Sequence, residues 1–268
     1  MARYEELRYR LQLLVAEFPT LLTLRVLGSM RHHGKTYDVL RLELREAGGE
    51  EKVEVCLAFG THGNEDLTAE SVEEFLKSLL DPSSTNPLID LPSTEERQRL
   101  RETFALTVYF FNPIGFDRTE RSDGARHDLN RWFGRSRPPH PVQLVMNDLK
   151  NRRFDACIDL HGDITGTGFM VYERTRLPCP IAGEVIKALK AAGVHIVSDG
   201  GHEGDVVQGG VVSKPFFAHT LDDYLFFEKK VPLALTFEYP GRGEVAADIQ
   251  SLVIALYAAL THIPCPTR

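Results

Sequence analysis

The chain has 268 residues, 43% of them apolar, enough to bury a large core as one domain or one and a half. Its formal net charge of -7 argues against nucleic acid or an anionic membrane as the main partner. The opening residues MARYEELRYR lack the apolar stretch of a signal peptide, and no run approaches the roughly 20 apolar residues of a membrane span, so the expected location is the cytoplasm.

Tyr4, Leu7, Leu11 and Leu14 recur at helical spacing and predict an opening helix that ends near Pro19. Strand patterns follow at 21–27, 37–44 and 52–59. Val72, Phe75, Leu76, Leu79 and Leu80 mark a second helix, and DPSSTNPLIDLPS over 81–93 reads as a loop. Strand patterns recur at 105–111, 156–161, 168–172, 194–198 and 233–239, with helices near 141–152 and 181–192. A last helix carries Ile249, Leu252, Val253, Leu256 and Leu260. About eight apolar strands joined by helices predict a single α/β domain over 1–268, with a mixed, mostly parallel sheet covered by helices on both faces. The cysteines, Cys56, Cys157, Cys179 and Cys265, form no Cys-x-x-Cys pair; the first two read as small core residues in a reducing compartment.

In such sheets ligands bind at the carboxyl ends of strands. His62, His161 and Glu238 all fall at or near predicted strand ends. In AFGTHGNED, His62 and Glu65 stand three residues apart where an apolar strand gives way to a helix. With His161 from DLHGD they supply two nitrogens and one carboxylate, a catalytic zinc set with a fourth position open for water. Glu238, in LALTFEYP, ends an otherwise apolar strand, where a carboxylate must be paired, ligated or catalytic. The catalytic reading makes it a general base. The stretch 112–133 offers Arg121, Asn130 and Arg131; an Asn-Arg pair suits a substrate with a free carboxylate, and a further arginine could steady an oxyanion. Asp128 could hydrogen-bond the far nitrogen of a metal-bound histidine. Arg118, Arg126, Arg135 and Arg137 also crowd this stretch and read as solvated.

These segments together resemble a zinc carboxypeptidase of the pancreatic carboxypeptidase A and B superfamily. LGSMRHHGKTYDVLRLEL resembles the start of that domain, HGNE its metal motif, NPIGF its Asn-Pro-x-Gly-Phe, DLNR its carboxylate-binding segment, DLHGD its third ligand and TFEYP its catalytic glutamate. The resemblance implies an eight-stranded mixed sheet and one Zn2+ per chain, held by His62, Glu65 and His161. It also implies Glu238 as base and Asn130 with Arg131 on the terminal carboxylate. Arg121, with Arg118 as the alternative, would polarise the scissile carbonyl, and Asp128 would be the aspartate that holds the far nitrogen of a metal-bound histidine. It further places the side-chain-selecting residue about fifteen positions before Glu238, at Asp222 and Asp223, where an acid would favour a cationic side chain; a helix start with acids in its first turn explains the same residues. The implied substrate is a small peptide or amino-acid conjugate.

The family's mobile tyrosine, roughly twenty residues before the catalytic glutamate, is not carried over: Phe216 and Phe217 stand at about that distance, and Tyr224 comes later. The glycine-dense segment 198–212, with His202, Glu203 and Asp205, offers a second but poorly positioned metal set. The same short motifs also resemble succinylglutamate desuccinylase and aspartoacylase, so an N-acyl amino acid deacylase is the alternative. About fifty residues before the metal strand and thirty after Glu238 favour the carboxypeptidase architecture. A non-catalytic binding module on the same fold is disfavoured, because all three ligands and the base are present.

Overall fold

The computed structural model describes residues 2–48, 51–85, 91–162, 168–198, 206–213, 219–241 and 244–264. The chain opens with α1 (Arg3–Glu17) and the hairpin β1 (Leu22–His32) and β2 (Lys35–Leu44), then β3 (Val53–Phe59), α2 (Leu67–Leu80), α3 (Thr94–Thr103) and β4 (Phe104–Phe110). Next come α4 (Pro113–Arg118), α5 (His140–Leu149), β5 (Ala156–Gly162), β6 (Met170–Thr175) and α6 (Ala182–Ala191). The hairpin β7 (Val206–Gln208) and β8 (Val211–Ser213) precedes a short helix, α7 (Leu221–Asp223), which runs into one π turn (Tyr224–Glu228). The chain closes with β9 (Leu233–Tyr239) and α8 (Val245–His262).

Among the described residues, nine strands form one sheet in the order β1-β2-β4-β3-β5-β9-β6-β8-β7. Its middle, β4-β3-β5-β9, is parallel; β1-β2, β2-β4, β9-β6 and β8-β7 pair antiparallel, and β6-β8 is parallel. The expected mixed α/β sheet is therefore observed, with the parallel strands at its centre.

Strand alternation divides the core into two layers. From β3, Val53, Val55, Leu57 and Phe59 face one side, where they meet α1, α2, α6 and α8. Cys56 and Ala58 face the other, with Cys157 and Ala234 from neighbouring strands, beneath Val142, Val145 and Leu149 of α5. Small residues on this second face give close cover from α5 and α7. Cys56 and Cys157 are free, buried and in register on adjacent strands. Tyr224 is buried in the same layer, its ring 6.1 Å from that of Phe133.

The structure departs from the sequence reading in three places. The strand expected at 194–198 is a single bridge between Phe169 and Ile196. Part of the glycine-dense segment forms the β7–β8 hairpin instead, turning at Gly209 and Gly210, whose φ values of 61° and 93° suit glycine. Helix α3, TEERQRLRET, has too few apolar residues to show a period. It starts at a capping box, in which the Glu96 N–H donates to Ser93 Oγ at 3.2 Å and the Ser93 N–H to Glu96 Oε2 at 2.9 Å. Its buried face sets two arginines beside Leu100: Arg97 donates to the Ser78 carbonyl at 2.6 Å and Arg101 to that of Leu79 at 2.7 Å, satisfying the end of α2. His202, Glu203, Asp205, Phe216 and Phe217 lie outside the described residues.

Helix α8, with 18 residues and mean hydropathy 1.4, is long and apolar enough by composition to cross a membrane. Leu252, Val253, Leu256 and Leu260 instead pack it into the core beside α2 and α6.

The N-terminal helix is tied to α4 through Asp117. This carboxylate accepts from Tyr37 Oη at 2.8 Å and the Tyr4 N–H at 3.2 Å, with Lys35 Nζ at 3.4 Å. Burial pushes its pKa up, but the Tyr37 hydroxyl, the Tyr4 amide and Lys35 outweigh that and hold it below the usual range. A carboxyl depressed in the native state stabilises above its unfolded pKa and loses that contribution as pH falls through the folded pKa. Asp117→Asn is therefore expected to lower stability by about 1 kcal/mol at neutral pH. In urea titrations the difference from the parent should shrink as pH falls below about 4.

Candidate metal centre

Three glycine contacts and one asparagine set the loop that leaves β3. Gly60, at φ 62°, turns the chain where a Cβ would meet the Phe110 ring at 2.7 Å. Gly63 lies so close to α4 that its Cβ would stand 1.9 Å from the Gly115 carbonyl carbon, and a Cβ on Gly115 would stand 2.5 Å from Ser122 O. The glycines of HGNE and NPIGF are thus required by mutual close approach. Buried Asn112 joins the same pieces: its Nδ2 donates to Thr61 O at 3.0 Å and Arg121 O at 3.2 Å, and its Oδ1 accepts from the Gly115 N–H at 3.1 Å.

This loop carries His62 and Glu65 to the end of neighbouring β5, where His161 stands. All three are buried. His62 Nδ1 lies 2.6 Å from Glu65 Oε1, His161 Nδ1 lies 3.0 Å from Glu65 Oε2, and the two Nδ1 atoms are 3.2 Å apart. Tetrahedral bonds of about 2.0–2.1 Å set two ligand atoms about 3.3 Å apart, so the spacing fits a single transition-metal ion. One ligand atom from each residue lies within 4.8 Å of the others.

Both far nitrogens are held by carboxylates. His62 Nε2 lies 3.1 Å from Asp128 Oδ1, and His161 Nε2 lies 3.0 Å from Asp159 Oδ2. An Nε2–H donated outward leaves each Nδ1 lone pair facing Glu65, the tautomer a metal needs. Burial works to raise the Glu65 pKa, yet the facing imidazoles of His62 and His161 outweigh it and hold the carboxyl down at about 2. Burial likewise disfavours a charged His161, but Asp159 and Glu65 outweigh it and push its pKa well up. Asp128, opposed by burial but facing His62 and Arg121, is held below the usual carboxylate range. Three carboxylates around two imidazoles make a buried site that favours cations.

Glu238 stands on β9 in register with His161, on the same sheet face, and is half-buried. Half-exposed Arg121 lies at the mouth, with Nη1 3.5 Å from Glu65 Oε1 and Nη2 3.1 Å from Asp128 Oδ2. Asn130 is buried, with Oδ1 accepting from the Leu221 N–H at 3.0 Å and Nδ2 3.2 Å from His161 Nε2. Exposed Arg131 donates from Nη1 to Asn130 O at 2.8 Å. Arg118 pairs with Glu120 at 2.7 Å instead of reaching the histidines.

Asp222 and Asp223 are buried below this layer. Asp222 Oδ2 accepts from Thr236 Oγ1 at 3.1 Å, and Thr236 lies two residues before Glu238 on the same face. Asp223 forms an ion pair with Arg174 of β6, so its charge already has a partner within the chain. Sequence reasoning did not single out Asp159, Asn112 or Arg174. The first was visible as Asp-x-His, whose spacing puts both side chains on one face of a strand; the other two depend on distant packing.

No model of a known protein family and no curated protein matches the sequence. The structure does match solved ones. A candidate metallopeptidase from Shewanella amazonensis is 18% identical with a TM-score of 0.76, over 98% of this chain and 94% of that one. Thrombin activatable fibrinolysis inhibitor is 15% identical with a TM-score of 0.72, over 97% and 73%. A metallo-carboxypeptidase from Pseudomonas aeruginosa, solved with (2-guanidinoethylmercapto)succinic acid, is 19% identical with a TM-score of 0.65, over 96% and 70%. The chain has the fold of the metallo-carboxypeptidases, as the motif resemblance implied.

Asp159→Asn is expected to weaken zinc affinity about 10- to 100-fold, read by competition with a chromogenic chelator. Gly63→Ala should lower stability by about 2 kcal/mol or more, because the contact it meets is backbone; an unchanged melting temperature would refute the close approach.

Proposed function

We propose that the protein is a zinc-dependent metallocarboxypeptidase, hydrolysing the C-terminal amide bond of a small peptide or peptide-like substrate with a free carboxylate. The observation that carries this reading is the convergence of His62, Glu65 and His161 on one point, with Glu238 in register beside His161. Fold likeness to metallo-carboxypeptidases over nearly the whole chain supports it.

His62, Glu65 and His161 would hold the metal, with Asp128 and Asp159 fixing the imidazole tautomers. When bound, zinc supplies Lewis acidity toward water and the scissile carbonyl. Glu238 takes a proton from the attacking water and returns it to the leaving amine. Arg121 donates to the carbonyl oxygen as negative charge develops. Arg131 offers its guanidinium to the terminal carboxylate, and the Asn130 Nδ2 amide adds a donor beside it. Fixing that carboxylate confines attack to the last bond. Asp222 and Asp223 would favour a cationic terminal side chain. The ligand of the Pseudomonas aeruginosa protein combines a guanidino group with a succinic acid, which is in keeping with that preference.

The N-acyl amino acid deacylase reading uses the same centre and also takes a substrate with a free carboxylate. One panel separates them: peptides ending in Lys, Arg, diaminopimelate, Phe and Glu, with N-succinyl- and N-acetyl-amino acids, offered to the zinc-loaded protein. Release of a terminal basic residue is the expected result; cleavage of the acyl amino acids alone would assign the deacylase. Glu238→Gln should retain zinc by metal analysis and lose at least about 10²-fold in kcat. Normal turnover in that variant would remove Glu238 as the base.

A further inference from the structure

Six arginines, Arg118, Arg121, Arg126, Arg131, Arg135 and Arg137, fall within 118–137 of a chain whose formal net charge is -7. All six are exposed. The proposed chemistry employs only Arg121 and Arg131. Acids of the same stretch neutralise only one of the others among the described residues. Glu120 pairs with Arg118, and Asp128 is shared by Arg121 and His62. Asp123 accepts the N–H groups of Ala125 at 2.9 Å and His127 at 2.8 Å, with His127 Nδ1 at 3.1 Å. Arg126, Arg135 and Arg137 are left with no ion pair of their own among the described residues.

This stretch is pinned to the metal centre at three points: Arg121 beside Glu65, Asp128 on His62 and Asn130 on His161. Arg121 therefore stands beside the site, and Arg126, Arg131, Arg135 and Arg137 follow along the same stretch. Arg135 lies over the Trp132 ring at 4.9 Å, and the His127 ring meets the same indole at 5.5 Å. Behind the 123–127 turn, between the end of β1 and the start of α5, is a cavity of about 250 Å³. Arg31, His32, His127 and His140 line it, with Asp123 as its one acid. The Asp123 oxygens are already taken by three N–H donors, whereas His32 Nε2 is buried with no protein partner. Helix α5 begins at this cavity without a side-chain cap, which leaves its positive end to be satisfied from outside.

We propose that this surface selects an acidic peptide: carboxylates upstream of the scissile bond are steered by the arginine rim, and one is seated in the cavity between β1 and α5. The position "upstream" rests on the carboxypeptidase reading, but the binding preference does not. A basic rim on an acidic protein raises the local concentration of anionic substrate without attracting polyanions to the whole surface. Terminal side-chain choice, at Asp222 and Asp223, remains a separate matter.

The test is fluorescence anisotropy with the zinc-loaded full chain carrying Glu238→Gln, and labelled peptides that share a C-terminal lysine but carry Glu, Gln or Lys at the three preceding positions. The Glu peptide is expected to bind about tenfold tighter than the Gln peptide near 0.05 M salt, with the gap closing near 0.5 M. Arg126→Glu with Arg137→Glu should erase the gap while the Gln peptide changes less than about twofold. Arg31→Ala with His140→Ala should weaken only the Glu peptide; no effect on either peptide would overturn the cavity as the seat. Equal affinity for the Glu and Gln peptides would overturn the whole inference. Preferential binding without turnover of any peptide by the parent protein would instead count against the carboxypeptidase reading and leave the acidic preference standing.

Discussion

The arrangement on which the rest of the site depends is the Glu65 carboxylate held between two imidazole nitrogens, His62 Nδ1 at 2.6 Å and His161 Nδ1 at 3.0 Å. Three polar groups this close are unfavourable in a buried position unless each is compensated. The structure compensates them outward: Asp128 and Asp159 hold the far nitrogens, Arg121 stands beside Glu65, and Thr61 Oγ1 lies 3.4 Å from the second Asp159 oxygen. The outcome is a rigid, electronegative point at the carboxyl edge of a parallel sheet, the position where open α/β sheets place their ligands.

Bringing that point together requires the sheet and two loops at once. β3 and β5 are sequence-distant but adjacent and parallel, so their C-terminal ends deliver His62 and His161 to the same height. Parallel β9 then adds Glu238 on the same face. The loop after β3 has to lie against α4, and the contact between Gly63 and Gly115 leaves no room for a side chain. Asn112 and the N-terminal Arg3 brace this junction: Arg3 pairs with Asp66, next to Glu65, and donates to Thr119 Oγ1 at 2.6 Å, two residues before Arg121. The segment 112–131 consequently has two roles, holding the metal ligands through Arg121, Asp128 and Asn130 and lining the cavity between β1 and α5 with Asp123 and His127.

A second polar layer lies beneath the first. Asp159, Thr236 and Arg174 occupy the sheet face that carries His161 and Glu238, with Asp222 and Asp223 of α7 packed over them. Burying these groups costs free energy that an apolar floor would not, and such an arrangement persists where polar groups have a ligand or a ligand's ligand to position. The opposite face shows the contrast: Val55, Leu57, Phe59, Leu235 and Phe237 make an uninterrupted apolar layer under α2 and α8.

Much of this was legible in the sequence. Strand-length patterns marked seven of the nine strands among the described residues, most plainly the central β3 and β4, which are buried on both faces and so largely apolar. His62, Glu65, His161 and Glu238 stood out because polar residues at the ends of such runs have no packing reason to be there. Helix α3 and the β7–β8 hairpin were not legible: the first buries arginines against carbonyl groups of α2, and the second depends on a Gly-Gly turn joining strands only three residues long. By itself the sequence determined the fold class, the ligand types and the strand ends that carry them, since periodicity and residue chemistry are local properties. Only the tertiary structure decided that Asp159 takes His161 Nε2, that Arg174 claims Asp223 and that the arginine stretch backs onto a cavity. Those outcomes depend on which distant side chains meet, and strand order sets that.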